Sequence, residues 1–131
     1  VIAADTNVLV RLVMRDDEAQ ARRARDLFER QAAAEDTLYV SDPVIAELTW
    51  VLKSRYAQGT ESVARTLRAL LGNATVTWQS PRAVREAVGL FERGGVDFAD
   101  CLLVALAQSG GCEAVATFDR GMRGLPAVRV P

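Results

Sequence analysis

The chain has 131 residues, half of them hydrophobic, which suffices for one domain that buries its core without disulfides or structural zinc. Its 16 basic and 17 acidic side chains leave a formal net charge of -1, so no global field draws it toward nucleic acid. Histidine is absent, which excludes Ser-His-Asp hydrolysis, Cys-His proteolysis and histidine-paired ribonuclease chemistry. Zinc loses its usual ligands as well, so hydrolytic chemistry here has to rest on carboxylates, which select hard cations such as Mg²⁺ or Mn²⁺. Lys53 is the sole lysine among the basic residues. Arginine forks suit phosphate geometry, although codon bias accounts for such a composition equally well. No apolar run reaches the ~20 residues of a membrane span, and no basic-then-apolar secretory pattern opens the chain, so the expected location is the cytoplasm. Cys101 and Cys112 lack a C-x-x-C spacing and read as reduced thiols.

In chain order, Val1-Ile2-Ala3-Ala4 is a short strand that ends at Asp5, and Val8, Leu9, Leu12 and Val13 then repeat at helical spacing. A second helix is predicted from Asp16 to Glu35, capped by Asp16, with Ala21, Ala24, Leu27 and Phe28 inward and Arg22, Asp26 and Arg30 on a solvated face. Thr37 to Val40 reads as a strand, and Ser41-Asp42-Pro43 as a helix start. The third helix has an apolar stripe of Val44, Leu48, Val51 and Leu52, with Trp50 expected in the core. Thr60 is expected to cap a fourth helix carrying Val63, Leu67, Leu70 and Leu71, closed by Gly72. Thr75 to Trp78 is a short strand; Ser80-Pro81 opens a fifth helix with Val84, Ala87, Val88 and Phe91 inward. A sixth helix runs from Asp97 to Gly110-Gly111, Ala114 to Phe118 is a strand stopping at Asp119, and Val128-Arg129-Val130 is a last edge strand. Alternating strands and helices predict a three-layer α/β fold, a mostly parallel sheet of about four to five short strands flanked by helices, as a single domain over residues 1–131.

Four acids are out of place in this pattern. Asp5 and Asp119 both stand at the carboxyl ends of hydrophobic strands, where open α/β sheets form their ligand crevice. Glu47 projects within an apolar helix stripe, and Asp100, at N3 of a helix capped by Asp97, shares a face with Leu103, Val104 and Ala107. Each alone has an ordinary explanation: a cap, a dipole partner, or a glutamate snorkelling past the stripe or pairing with Arg11. Right-handed crossovers gather all four on one rim, however, and clustered carboxylates repel unless a cation binds them. Such a cation lowers the pKa of bound water and steadies a phosphoryl transition state, which points to a metal-dependent phosphodiester or phosphomonoester hydrolase.

The segments Asp5-Thr6-Asn7-Val8-Leu9, Val44-Ile45-Ala46-Glu47-Leu48, Asp97-Phe98-Ala99-Asp100-Cys101-Leu102-Leu103 and Ala116-Thr117-Phe118-Asp119 resemble, in order and spacing, those of the PIN-domain nucleases. In detail the chain is similar to the VapC toxins of bacterial toxin-antitoxin pairs. The resemblance implies an acidic quartet of Asp5, Glu47, Asp100 and Asp119, with Asp5 and Asp100 as the surest metal ligands. Asn7, Asp97 and Thr117 would orient ligands or waters around them. It further implies Mg²⁺- or Mn²⁺-dependent RNA cleavage, a VapB-like antitoxin partner and a homodimer. A haloacid-dehalogenase-type phosphatase needs a second acid where Asn7 stands, and a late lysine. A non-enzymatic α/β binding module would be expected to have lost one of the four acids. An RNA-processing or quality-control nuclease without antitoxin shares the same site residues, so the acids alone do not separate it from a toxin.

Overall fold

The computed structural model describes residues 1–131. Six helices and five short strands alternate: β1 (Ile2–Ala3), α1 (Thr6–Met14), α2 (Glu18–Ala33), β2 (Leu38–Val40), α3 (Asp42–Ser54), α4 (Thr60–Leu71), β3 (Val76–Trp78), α5 (Pro81–Glu92), α6 (Phe98–Ser109), β4 (Val115–Ala116) and β5 (Val128–Arg129). All strand pairings are parallel; helices cross over between β1, β2 and β3, whereas β4 and β5 are joined by a loop with one 3-10 turn. The strands form two ladders, a three-stranded sheet in the order β1-β2-β3 and a separate β4-β5 pair.

β2 lies in the middle of the larger sheet and is its most apolar member, with Leu38 and Val40 fully buried. Its register sets Ile2 against Leu38 and Leu38 against Val76. The buried Gln31 of α2 donates through Nε2 to the Thr37 carbonyl at 2.9 Å, tying that helix to the start of β2. Beyond the strand ends, the Asp42 amide donates to Gln79 Oε1 at 2.8 Å and Ser80 Oγ donates to the Asp42 carboxylate at 2.7 Å. The exits of β2 and β3 are thereby held together, although Ser41 and Ser80, in the N-cap positions of α3 and α5, make no side-chain capping bond.

One hydrophobic core joins Leu9 and Val10 of α1 to Leu48 and Leu52 of α3, Val63 and Leu67 of α4, Val84 and Val88 of α5, and Cys101 and Val104 of α6. In α3, α4 and α5 these side chains follow the 3.6-residue stripe expected from the sequence, whereas in α1 the buried pair is Leu9 and Val10, with Val8, Leu12 and Val13 only partly buried. The N-caps of α2 and α4 differ from expectation. Arg15 ends α1 in the left-handed region (φ 52), and Asp17 rather than Asp16 then caps α2, accepting from the Gln20 amide at 3.0 Å. Asp16 is committed elsewhere: it accepts from Arg11 and, at 2.6 Å, from the Tyr56 hydroxyl, and these partners hold its carboxyl below the usual range. Gly59, not Thr60, occupies the N-cap of α4, with Thr60 as its first helical residue. No helix is long and apolar enough to cross a membrane.

Candidate active site

Asp5 lies two residues past the end of β1 and is the N-cap of α1, its carboxylate accepting from the Thr6 amide at 2.8 Å. Thr6 is buried, and a buried hydroxyl needs a partner. It donates to a Glu47 carboxylate oxygen at 2.8 Å. One threonine thus fixes two of the candidate acids, through its backbone and through its side chain. This explains how α3 carries a glutamate beside its apolar stripe: Glu47 sits at the exposed edge, tethered by Thr6, and makes no ion pair with Arg11, which binds Asp16. Trp50, one turn further along, is 66% exposed. The expectation of a core tryptophan is therefore corrected; Ile45, Leu48, Thr49 and Leu52 fill that interior.

The second pair is positioned by the entry to α6. Gly94 and Gly95 both adopt positive φ (82° and 80°), a backbone that only glycine takes without strain, and they reverse the chain between α5 and α6. Asp97 then takes the N-cap position, its carbonyl accepting from the Asp100 and Cys101 amides at 3.1 Å each. Its carboxylate makes no capping bond, contrary to the sequence-based expectation, and remains available. Asp100, in the first turn, is partly buried. Its carboxyl is held above the usual range, first by burial and then by the negative charges of Asp119 and Asp97. The inward face of α6 is Phe98, Cys101, Leu102, Val104 and Ala105, whereas Leu103 is 48% exposed. Asp100 and Leu103 therefore border the rim and do not point into the core, another departure from the helical-wheel expectation.

Because Asp97 lacks a capping bond, Asp97→Ala is expected to change folding stability by less than about 0.5 kcal/mol, the scale of an ordinary surface substitution. A lost cap would cost ~1 kcal/mol. Urea denaturation of both proteins measures the difference, and a loss of the larger size would mean that the carboxylate caps α6 in solution.

Asp119 follows β4, whose ladder closes with the Thr117 amide on the Arg129 carbonyl at 3.0 Å. The Asp119 amide donates to Thr117 Oγ1 at 3.0 Å, and its Oδ1 accepts from the Gly121 amide at 2.8 Å, opening a 3-10 turn over Arg120–Met122. A Cβ at position 121 would stand 3.1 Å from Asp119 Oδ1, so Gly121 gives that carboxylate its room. Asn7 is exposed two residues after Asp5 and lines a cleft between α1 and α2.

Thr6 joins Asp5 to Glu47, α3 packs on both α1 and α6, and Asp100 feels Asp119 and Asp97. As the side chains stand, no three acids lie close enough together to share one ion. In donor type and charge the residues nevertheless fit a hard divalent cation: every candidate ligand is an oxygen donor, and the like charges facing Asp100 are what a cation would neutralise. Thr6 and Gly121, which hold candidate acids in place, do not stand out as site residues in the sequence. A hydroxyl beside a strand-end acid was the available signal for Thr6, and a glycine two residues past an acid for Gly121.

A parallel α/β scaffold with carboxylates just past its strands and in the first two turns of its helices suits a hydrolase that works with a metal ion. The model of the PIN domain family matches residues 2–128, and the chain belongs to that family. PIN domains are typically nucleases and generally use divalent metal ions. No curated protein matches the chain.

Proposed function

We propose that this PIN domain is an endoribonuclease dependent on Mg²⁺ or Mn²⁺, and the toxin of a VapC-type toxin-antitoxin pair. The observation that carries the metal-dependent part is the start of α6, where Asp100 is partly desolvated and faces two further acids. Asp5 and Asp100 would hold the ion, with Glu47 and Asp119 completing the set. When bound, the ion supplies charge neutralisation and a water acidic enough to attack phosphorus near neutral pH. Thr6 fixes the Asp5 and Glu47 carboxylates, Thr117 sets the turn that presents Asp119, and Asn7 and Asp97 orient waters or ligands from the edge.

The toxin assignment rests on the resemblance of the four acidic segments to VapC proteins. Val8, Leu12 and Val13 of α1 and Phe28 of α2 are only partly buried, which suits an amphipathic segment of a VapB-like antitoxin. A partner arginine could enter the carboxylate site and suppress it. Trp50 and Leu103, exposed on the neighbouring helices α3 and α6, suit a second copy of the chain in a homodimer.

Incubation with RNA and excess EDTA is expected to abolish cleavage, and Mg²⁺ or Mn²⁺ to restore it; cleavage undiminished by EDTA would overturn the metal-dependent reading. Co-expression with the product of the neighbouring gene, followed by size-exclusion chromatography and the same assay, is expected to give a stable complex with suppressed activity. An active chain that is harmless when expressed alone and binds no such product would instead favour RNA processing without an antitoxin.

A further inference from the structure

Neither the acids nor an antitoxin segment accounts for the polar lining of the cleft of about 510 Å³ between α1 and α2, which shares only Val8 with the apolar face described above. Asn7, two residues from Asp5, lines its α1 wall with Val8 and Arg11, and Arg23, Asp26 and Arg30 stand on the α2 wall. Arg23 and Arg30 are two helical turns apart, a rise of about 10.5 Å. Both are exposed, and neither enters an ion pair, whereas Arg11 is committed to Asp16 and to Gln20, whose Oε1 accepts from its Nε at 2.7 Å. In a chain of net charge -1, this is a local strip with two uncommitted guanidinium groups against one acid, and Asn7, two residues from Asp5, is part of its lining.

A polyanionic substrate faces a difficulty at that site, because carboxylates repel the phosphates on either side of the bond to be cut. Cations along an adjoining trench offset this repulsion, and the arginine fork matches phosphate oxygens in geometry as well as charge. We propose that the α1–α2 cleft is a substrate-backbone subsite: Arg23 and Arg30 hold successive stretches of RNA phosphate, with Asn7 and Arg11 on the facing α1 wall. This rests on the ribonuclease reading. It favours RNA over an acidic protein segment because Asn7, two residues from Asp5, is among the residues that line the cleft.

The test uses full-length protein carrying Asp100→Asn, so that binding is read without cleavage, and a short fluorescein-labelled single-stranded RNA of mixed sequence followed by anisotropy across a salt series. Arg23→Glu and Arg30→Glu are each expected to weaken binding about tenfold and to reduce the slope of log K against log salt by about 0.7, the value for one lost phosphate contact. In the otherwise wild-type enzyme the loss is expected to fall on KM more than on kcat. Arg85→Glu, an equal charge change on the exposed face of α5, is the control and is expected to bind normally. If wild type cleaves RNA and both cleft variants bind like the control, the subsite is overturned while the ribonuclease reading stands. Equal weakening by Arg85→Glu also overturns it, because net charge alone would then be acting. Loss of polyglutamate binding in the cleft variants with RNA binding intact would assign the cleft to an acidic protein segment. A wild type that neither binds nor cleaves RNA overturns both readings.

Discussion

Asp100→Asn is expected to lower RNA cleavage by roughly a thousandfold, the scale for losing a group that manages transition-state charge, while leaving the fold intact. Amide and carboxylate have nearly the same shape, so α6 and its buried face are undisturbed. The variant has a second signature in metal-free buffer. The Asp100 carboxyl is held above the usual range by burial and by Asp119 and Asp97, so its ionised form is disfavoured in the folded chain. A group with a raised folded-state pKa contributes stability below its unfolded value and loses it as pH rises through the folded one. Wild type should therefore weaken relative to Asp100→Asn above the carboxylate range, and the two should converge in acid. Added Mg²⁺ or Mn²⁺ should raise the melting temperature of wild type by mass action and affect the variant far less. Thermal melts across pH, with and without metal, measure both effects, and retained cleavage by Asp100→Asn would remove Asp100 from the site.

Phe91→Ala is expected to be the most damaging single core change, costing about 3–5 kcal/mol. Phe91 is fully buried on α5, and its ring meets that of Phe98 edge-on, with centroids 5.8 Å apart at 89°. Lys53 Nζ lies 5.3 Å from its centroid on α3. Phe98 is the first residue of α6, so this contact fixes the turn that carries Asp97 and Asp100. A domain of this size is stable by only about 5–15 kcal/mol, so truncation removes a large fraction of the total and loosens the start of α6. Urea unfolding followed by circular dichroism should show the loss, and Phe91→Leu, which keeps more volume, should lose less. A cost below about 1 kcal/mol for the alanine variant would mean that other contacts hold α6 in place.

The helices were legible because their stripes repeat over many residues. Val84, Ala87, Val88 and Phe91 have the spacing of a buried face, and all are buried. What failed was local competition. Asp16 and Asp17 are equally good caps on paper, and a tyrosine 40 residues away decides between them by occupying Asp16. Trp50 was placed in the core on hydrophobicity alone, yet the exposed edge of α3 begins at Glu47, and the wheel position of Trp50 follows that residue. The division of five strands into two ladders depends on tertiary placement, which strands as short as Ile2–Ala3 and Val115–Ala116 do not encode in their own sequence. For the candidate site, the acids themselves stood out against apolar surroundings. Thr6 did not, because a threonine after a strand is ordinary until its hydroxyl is seen to have only Glu47 for company.

The two cysteines have a practical consequence. Cys112 is exposed, whereas the Cys101 thiol is enclosed in α6, and burial beside the Asp100 charge pushes its pKa up to about 11. A thiol-specific reagent at neutral pH meets one sulfur at once and reaches the other only when α6 opens. The time course of the second label is therefore a clock for the breathing of the helix that carries Asp100, readable by mass spectrometry on the unmodified chain.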